Sequence, residues 1–114
     1  MMSEHQEQVD VIRWFRLNYP KLIIFAIPNG GMRNIGTAIN LKKEGALKGV
    51  PDLFLMAANN TYHGLFIEMK SIKGKVSEEQ KYFIEQAKLQ SYAAEVCYGF
   101  EEAYKCINQY LLNK

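Results

Sequence analysis

Residues 50–70 read VPDLFLMAANNTYHGLFIEMK, and this stretch decides the fold. Residues 52–57 and 63–70 are two runs in which apolar and aromatic side chains dominate, as is typical of strands. Asn59-Asn60 lies between the two runs and favours a turn. The pattern therefore predicts a β-hairpin.

The second strand of this hairpin carries an unusual pair of charges. Side chains alternate between the two faces of a strand, so Glu68 and Lys70 share one face. Charged groups in an apolar strand are costly to bury unless they are paired or bind a metal. If the strands pair across the turn, Asp52, which opens the first strand, lies beside Glu68 and Lys70. A surface ion pair on a solvent-facing strand is the simpler alternative.

Two neighbouring carboxylates repel each other, and a divalent cation relieves that repulsion. Oxygen ligands of this kind suit Mg²⁺ or Mn²⁺. Such a metal polarises a scissile phosphate, while Lys70 orients the attacking water or stabilises the developing negative charge. The hairpin thus predicts metal-dependent chemistry on a phosphodiester.

The sequence on either side predicts helices and strands in alternation. We expect a helix over 4–18, a buried strand over 22–27, a short helix over 37–44, a helix from a capping box at 77–80 to about 90, a strand over 93–98 and a helix over 101–112. The order α-β-(α)-β-β-α-β-α favours an α/β fold with a central mixed sheet flanked by helices. Phe54, Met56 and Phe66 are expected in its core.

Length and composition narrow the function classes. At 114 residues the chain is predicted to form one domain, with the 48% apolar and 23% charged residues of an ordinary globular protein. The longest apolar run, residues 22–28, is too short to span a membrane. Cys97 and Cys106 make neither a disulfide framework nor a CxxC motif, so a reduced, cytoplasmic protein is expected. The sequence contains no nucleotide-binding glycine motif such as GxGxxG, so it does not favour an enzyme that acts on small molecules.

Basic residues concentrate in the middle of the chain. The net charge is +2, but residues 33–75 contain seven Lys and Arg against three Asp and Glu. A locally positive region suits contacts with a phosphate backbone, although solvated lysines give the same pattern. The candidate nucleic-acid contacts are Asn29, Gly30, Arg33, Lys43, Lys48, Lys73 and Lys75. The glycine-rich loop could equally be a turn and no more.

Several longer motifs carry a family resemblance. Pro51-Asp52 followed by Glu68-x-Lys70 looks like the PD-(D/E)xK nuclease signature, which is short and often matched by chance. EHQEQ, AIPNGG, LKKEGALKGVPDLFL, YHGLFIEMK, SEEQ and YGFEEAYKCINQYL follow one another over residues 4–112. Together they resemble the VRR-NUC family, in particular its short stand-alone members from phages and prophages. The Val-Arg-Arg triplet of the family name is absent here, as it commonly is in those members.

This resemblance implies a restriction-endonuclease-like core over residues 1–114 and divalent-metal hydrolysis of DNA. By position, Asp52 and Glu68 would be metal ligands and Lys70 the catalytic lysine. Gln80 would also serve the active site, although position N3 of a capping box explains it equally well.

The resemblance also implies an acidic metal ligand on the first helix. Glu4 matches that position because Gln8 follows it by four residues, one helical turn away. Glu7 is the rival residue. Polar residues at a helix start can also be merely solvated.

The function that follows is a structure-selective DNA endonuclease, which the resemblance further implies to be a homodimer resolving four-way (Holliday) junctions. A nuclease acting on flaps, nicks or other DNA is the alternative of the same chemistry. A DNA-binding module that lost catalysis is the alternative of another class. The resemblance places the protein in the cytoplasm of a bacterial host cell, encoded by a phage or prophage.

Overall fold

The structure is a computed structural model that describes residues 2–28 and 35–113. Its elements are α1 (Glu4–Asn18), β1 (Ile23–Ala26), α2 (Ile35–Lys43), β2 (Leu53–Met56), β3 (Leu65–Lys70), α3 (Glu78–Leu89), β4 (Ala93–Tyr98) and α4 (Phe100–Leu112). The predicted order and the mixed α/β class are confirmed. Among the helices of these two ranges, none is long and apolar enough to cross a bilayer.

The four strands form one mixed sheet in the order β1-β2-β3-β4. β1 and β2 pair antiparallel, as do β2 and β3, so the predicted hairpin is confirmed. β3 and β4 run parallel, which requires a crossover, and α3 provides it. Leu53 pairs with Ile67, so the beginning of β2, next to Asp52, lies beside the end of β3 that carries Glu68 and Lys70.

One face of the sheet is buried against α1 and α4. Leu53, Leu55, Leu65, Ile67 and Met69 point to this side and are all 0–1% exposed. They alternate with polar or aromatic residues, as the two-residue period of a strand requires. The helices contribute Val11, Phe15, Ala103 and Ile107 to the same cluster. This core holds the first helix across β3.

The other face is covered by α3 over one half. Phe66 lies between Phe54 of β2, with ring centroids 4.6 Å apart, and Phe83 of α3, which it meets edge to face at 5.0 Å. Such aromatic contacts bury large areas and orient the elements that carry them. They bring the beginning of α3 towards the charged end of β3.

The strand predicted to be buried is instead an exposed edge strand. β1 runs from Ile23 to Ala26 and buries only Ile24, while Ile23 is 51% and Phe25 44% exposed. Met56 pairs with Ile23 and is 51% exposed, so its predicted core position is also wrong. The run is apolar on both faces, but β1 lies at the sheet edge, beyond the region that α3 covers.

Candidate active site

Asp52 and Glu68 face each other at the end of the hairpin. Since Leu53 pairs with Ile67, the same antiparallel register places Asp52 opposite Glu68. Asp52 lies one residue before β2, and its Oδ2 accepts a 2.7 Å hydrogen bond from the backbone N–H of Met69. That bond holds the Asp52 carboxylate against β3.

Glu68 is a buried carboxylate with incomplete hydrogen bonding. The residue is 3% exposed, and its Oε2 accepts a 3.0 Å hydrogen bond from Nε2 of Gln80. The same oxygen lies 3.5 Å from Nζ of Lys70. Its Oε1 is buried and has no hydrogen-bond partner among residues 2–28 and 35–113. A buried unpaired oxygen costs free energy unless a ligand completes its bonding.

The two carboxylates disturb each other's ionisation. Burial, followed by the charge of Asp52, raises the pKa of Glu68 to about 7, and the Lys70 ammonium opposes the rise. Burial also raises the pKa of Asp52, against the lowering effect of its hydrogen bond from Met69. Ionisable groups shifted in this way are typical of functional sites.

Lys70 is held beside Glu68 by a tight turn after β3. Its side chain is only 13% exposed, although it ends a strand at the sheet margin. Gly74 donates its N–H to the carbonyl of Ser71, and a Cβ at Gly74 would lie 3.2 Å from Cδ of Lys70. The small residue therefore leaves room for the lysine stem.

Gln80 contacts both Ser77 in the capping box and the buried Glu68. Its Oε1 accepts a 2.9 Å hydrogen bond from the N–H of Ser77, and Ser77 Oγ accepts one from Gln80, which completes the capping box. Its Nε2 donates to Glu68 at the same time. The amide thus joins the beginning of α3 to the buried carboxylate.

Glu4 and Glu7 have different partners. Glu4 Oε2 accepts a 3.2 Å hydrogen bond from the N–H of Ser71, just after β3, and its charge contributes to the raised pKa of Asp52. Glu7 Oε2 instead accepts a hydrogen bond from the N–H of Phe100, the first residue of α4. Glu4 therefore lies beside the Asp52–Glu68 pair, whereas Glu7 caps another helix.

The carboxylate pair fits a divalent cation. Within residues 2–28 and 35–113, no three His, Cys, Asp or Glu side chains are grouped closely enough to hold a metal unaided. Mg²⁺ commonly takes one or two carboxylates and completes its shell with waters and substrate phosphates. The unpaired Oε1 of Glu68 and the repulsion from Asp52 are the features that a cation would satisfy.

The predicted nucleic-acid contacts are dispersed. Lys73 and Lys75 are exposed in the turn after Lys70, and Lys43 is exposed in the last turn of α2. Lys48 lies 3.9 Å from Glu79 in a solvent-exposed ion pair. Asn29, Gly30 and Arg33 lie outside the described residues.

The VRR-NUC domain model matches residues 2–101. The chain belongs to the VRR-NUC family. A solved structure described as a "VRR_NUC domain protein" superposes with a TM-score of 0.83, covering 99% of this chain and 91% of that chain at 27% identity. Among proteins of curated function, none matches. The residues described above thus form the candidate active site of a nuclease-type domain, a class that acts on DNA and usually uses a divalent metal.

Sequence reasoning missed parts of this VRR-NUC domain. The Met69 N–H that fixes Asp52 has no sequence signal beyond the hairpin register. The contact of Glu7 with α4 could have been suspected, because α4 begins after Gly99, which has no side chain to cap it. Sequence spacing also gives no sign that Arg13 lacks an ion pair among the described residues, since it follows Asp10 by three residues.

Proposed function

We propose that this chain is a divalent-metal-dependent DNA endonuclease of the PD-(D/E)xK type. The observation that carries the proposal is the buried Glu68, with one oxygen unpaired, opposite Asp52 and beside Lys70. A structural ion pair has no need of a second carboxylate that raises the pKa of the first.

Asp52 and Glu68 would hold Mg²⁺ or Mn²⁺, with Glu4 next to them. When bound, the metal would polarise the scissile phosphate and acidify an attacking water. Before binding it, Glu68 must lose its proton, which the ammonium of Lys70 favours. The Met69 N–H and the Gln80 amide hold the two carboxylates in position.

Lys70 would act on the transferring phosphate. In the hydrolysis, a water oxygen bonds to phosphorus, one phosphorus–oxygen ester bond breaks, and the departing sugar oxygen receives a proton. Negative charge on the phosphate oxygens increases during this exchange. An ammonium group in a partly desolvated site stabilises that charge more than one in water does.

The proposed substrate is a four-way junction, and the proposed assembly is a homodimer. Both rest on the family resemblance. A two-fold dimer would place two active sites symmetrically, as two paired nicks in a junction require. The exposed apolar surface of Ile23, Phe25 and Met56 supports the dimer. An exposed apolar edge strand invites pairing with another chain, and a second copy would cover it.

Contacts with the DNA backbone are proposed for the loop and basic residues Asn29, Gly30, Arg33, Lys43, Lys48, Lys73 and Lys75. Lys73 and Lys75 have the best support, because they are exposed immediately after the strand that carries Lys70. The assignment to a phage or prophage and to a bacterial cytoplasm rests on the resemblance alone.

Cleavage of labelled DNA tests the proposal. Four-way junction, flap, nicked and linear duplex DNA are incubated with Mg²⁺, Mn²⁺ or EDTA, using wild type, Asp52→Ala and Lys70→Ala. We expect symmetric, metal-dependent cutting of the junction, reduced at least about 100-fold in both variants. Lys105→Ala is the matched control, because this lysine is exposed and forms an ion pair with Glu101 on the outer face of α4.

Two other results would change the proposed substrate or the proposed activity. Cutting confined to flaps or nicks keeps the active site and rejects the junction. Folded wild type that binds DNA but cuts none of these substrates with either metal supports the non-catalytic module instead.

A further inference from the structure

The acidic residues of α1 are held by contacts within the protein. Glu4, Glu7 and Asp10 recur every three residues, and Arg13 is the next residue of this series. All three acids accept hydrogen bonds, from the N–H groups described above and, for Asp10, from Gln6 Nε2 at 3.0 Å. The acids of α1 are thus engaged within the protein.

The neighbouring side of α1 carries Arg16, and Arg13 lies beside it. His5, Val9, Ile12 and Arg16 follow at intervals of four, three and four residues, which places them along one stripe. A groove of about 370 Å³ runs here, lined by His5, Gln8, Val9, Ile12, Arg13 and Arg16. No acidic residue is among these lining residues.

Arg13 and Arg16 are available for an external ligand. Both are exposed, and within the described residues neither lies within 4 Å of a carboxylate oxygen. Guanidinium groups bind phosphate through paired hydrogen bonds and lose less hydration than an ammonium does. Two exposed guanidiniums one helical turn apart, beside a groove free of acids, suit an anionic chain.

The helix that carries this groove also reaches the candidate active site, through Glu4 at its start. Glu4, in the first turn of α1, contacts the N–H of Ser71 just beyond Lys70. Arg16 lies twelve residues further on, roughly 18 Å along the helix at a rise of 1.5 Å per residue. One strand of duplex DNA advances about 3.4 Å per nucleotide, so this length matches about five nucleotides.

We propose that this groove, the α1 groove, binds the phosphate backbone of one duplex arm leading away from the cleaved bond, with Arg13 and Arg16 each contacting a phosphate. The inference rests on the proposed nuclease function and adds a path for the substrate. It requires no particular base sequence, since phosphate contacts position DNA without reading it.

The salt dependence of DNA binding tests this proposal. Affinity for a labelled 20-base-pair duplex is measured from 50 to 300 mM NaCl in the Asp52→Ala background, which prevents cutting. We expect Arg13→Gln/Arg16→Gln to weaken binding at least 10-fold at low salt. The slope of log K against log salt should fall by about 1.8, since each phosphate contact contributes about 0.9.

Matched variants separate a specific contact from a change in net charge. Lys88→Gln/Lys105→Gln removes the same charge from the exposed faces of α3 and α4, and should leave the slope unchanged. Arg13→Lys/Arg16→Lys should retain most of the slope. Thermal unfolding of each variant verifies that the fold is intact. An unchanged slope in the Gln double variant, or an equal fall in the control, would overturn the proposal.

Cleavage assays with Asp52 intact keep the two proposals apart. We expect KM for DNA to rise in Arg13→Gln/Arg16→Gln, with kcat at saturating DNA within about twofold of wild type. A fall in the salt slope without cleavage of any DNA would support the α1 groove and reject the nuclease. If Arg13→Gln/Arg16→Gln cleaves DNA with the KM and the salt slope of wild type, the nuclease is supported and the α1 groove is rejected. A polyglutamate peptide that binds the groove as tightly as DNA would also overturn the nucleic-acid assignment.

Discussion

At the scale of single residues, the burial of the Glu68 carboxylate opposes the stability of the fold. A carboxylate that is 3% exposed, with one oxygen unpaired, has lost hydration that the protein does not fully replace. Lys70 and Gln80 compensate in part, both through the same oxygen. In the proposed nuclease, a bound cation would offset the remaining deficit.

The pKa of Glu68 predicts how stability depends on pH. Its ordinary value is 4.5 and its folded value about 7, so between these pH values the folded state keeps a proton that the unfolded state releases. Stability without metal should therefore fall as pH rises from about 4.5 to 7 and then level off. Glu68→Gln should remove most of this decline, leaving the part that the raised pKa of Asp52 causes, and should be more stable at pH 8 by about 1–3 kcal/mol.

Urea unfolding in EDTA at pH 5 and pH 8 measures both effects. Glu79→Gln, at an exposed position on α3, is the control and should keep the wild-type pH dependence. The same decline in Glu68→Gln as in wild type would show that another group is responsible.

At the scale of elements, the beginning of α3 serves both folding and the site. The Ser77–Gln80 capping box stabilises the helix, and the free end of the Gln80 amide reaches Glu68. The edge-to-face contact of Phe66 with Phe83 keeps that helix end beside β3. One helix terminus thus fixes the orientation of a buried carboxylate, which a flexible loop would do poorly.

Two substitutions separate these roles. Ser77→Ala should cost about 1 kcal/mol of stability through the lost cap, with cleavage nearly unchanged. Gln80→Ala should lose a similar stability and also slow cleavage by about 10-fold or more, because it leaves Glu68 without its donor. Unfolding by urea and single-turnover cleavage are measured on both. Equal cleavage rates in the two variants would assign Gln80 a purely structural role.

At the scale of the whole molecule, helices cover one face of the sheet and only part of the other. α1 and α4 cover the first, while α3 covers only part of the second and leaves Ile23, Phe25 and Met56 exposed. Exposed apolar clusters of this kind mark interaction surfaces. In the proposed homodimer this surface lies against its symmetry mate.

Light scattering of the purified chain tests the dimer. Wild type should have about twice the 13.1 kDa chain mass at micromolar concentration, and Phe25→Lys should have the monomer mass while remaining folded. Leu89→Lys is the control, since Leu89 is 73% exposed on α3, and it should remain dimeric. A monomeric wild type, or a dimeric Phe25→Lys, would contradict this interface.

Local interactions let the sequence predict most of the elements. Ser3 and Ser77 mark helix starts because their hydroxyls cap neighbouring N–H groups, and both caps are present. The two apolar runs around Asn59 predict the hairpin, and its register follows from the two-residue period. The meeting of Asp52 with Glu68 therefore follows from nearby sequence.

Tertiary structure decided what depends on distant partners. The burial of residues 23–26 depends on whether the strand lies at the centre or at the edge of the sheet. An apolar run of this length is compatible with both positions. The distinction between Glu4 and Glu7 depends on how α1 crosses β3 and α4, since each carboxylate bonds to backbone that lies far away in the chain. The sequence by itself determined which groups could do the chemistry; packing decided which of them meet, because hydrogen bonds and desolvation depend on positions in space.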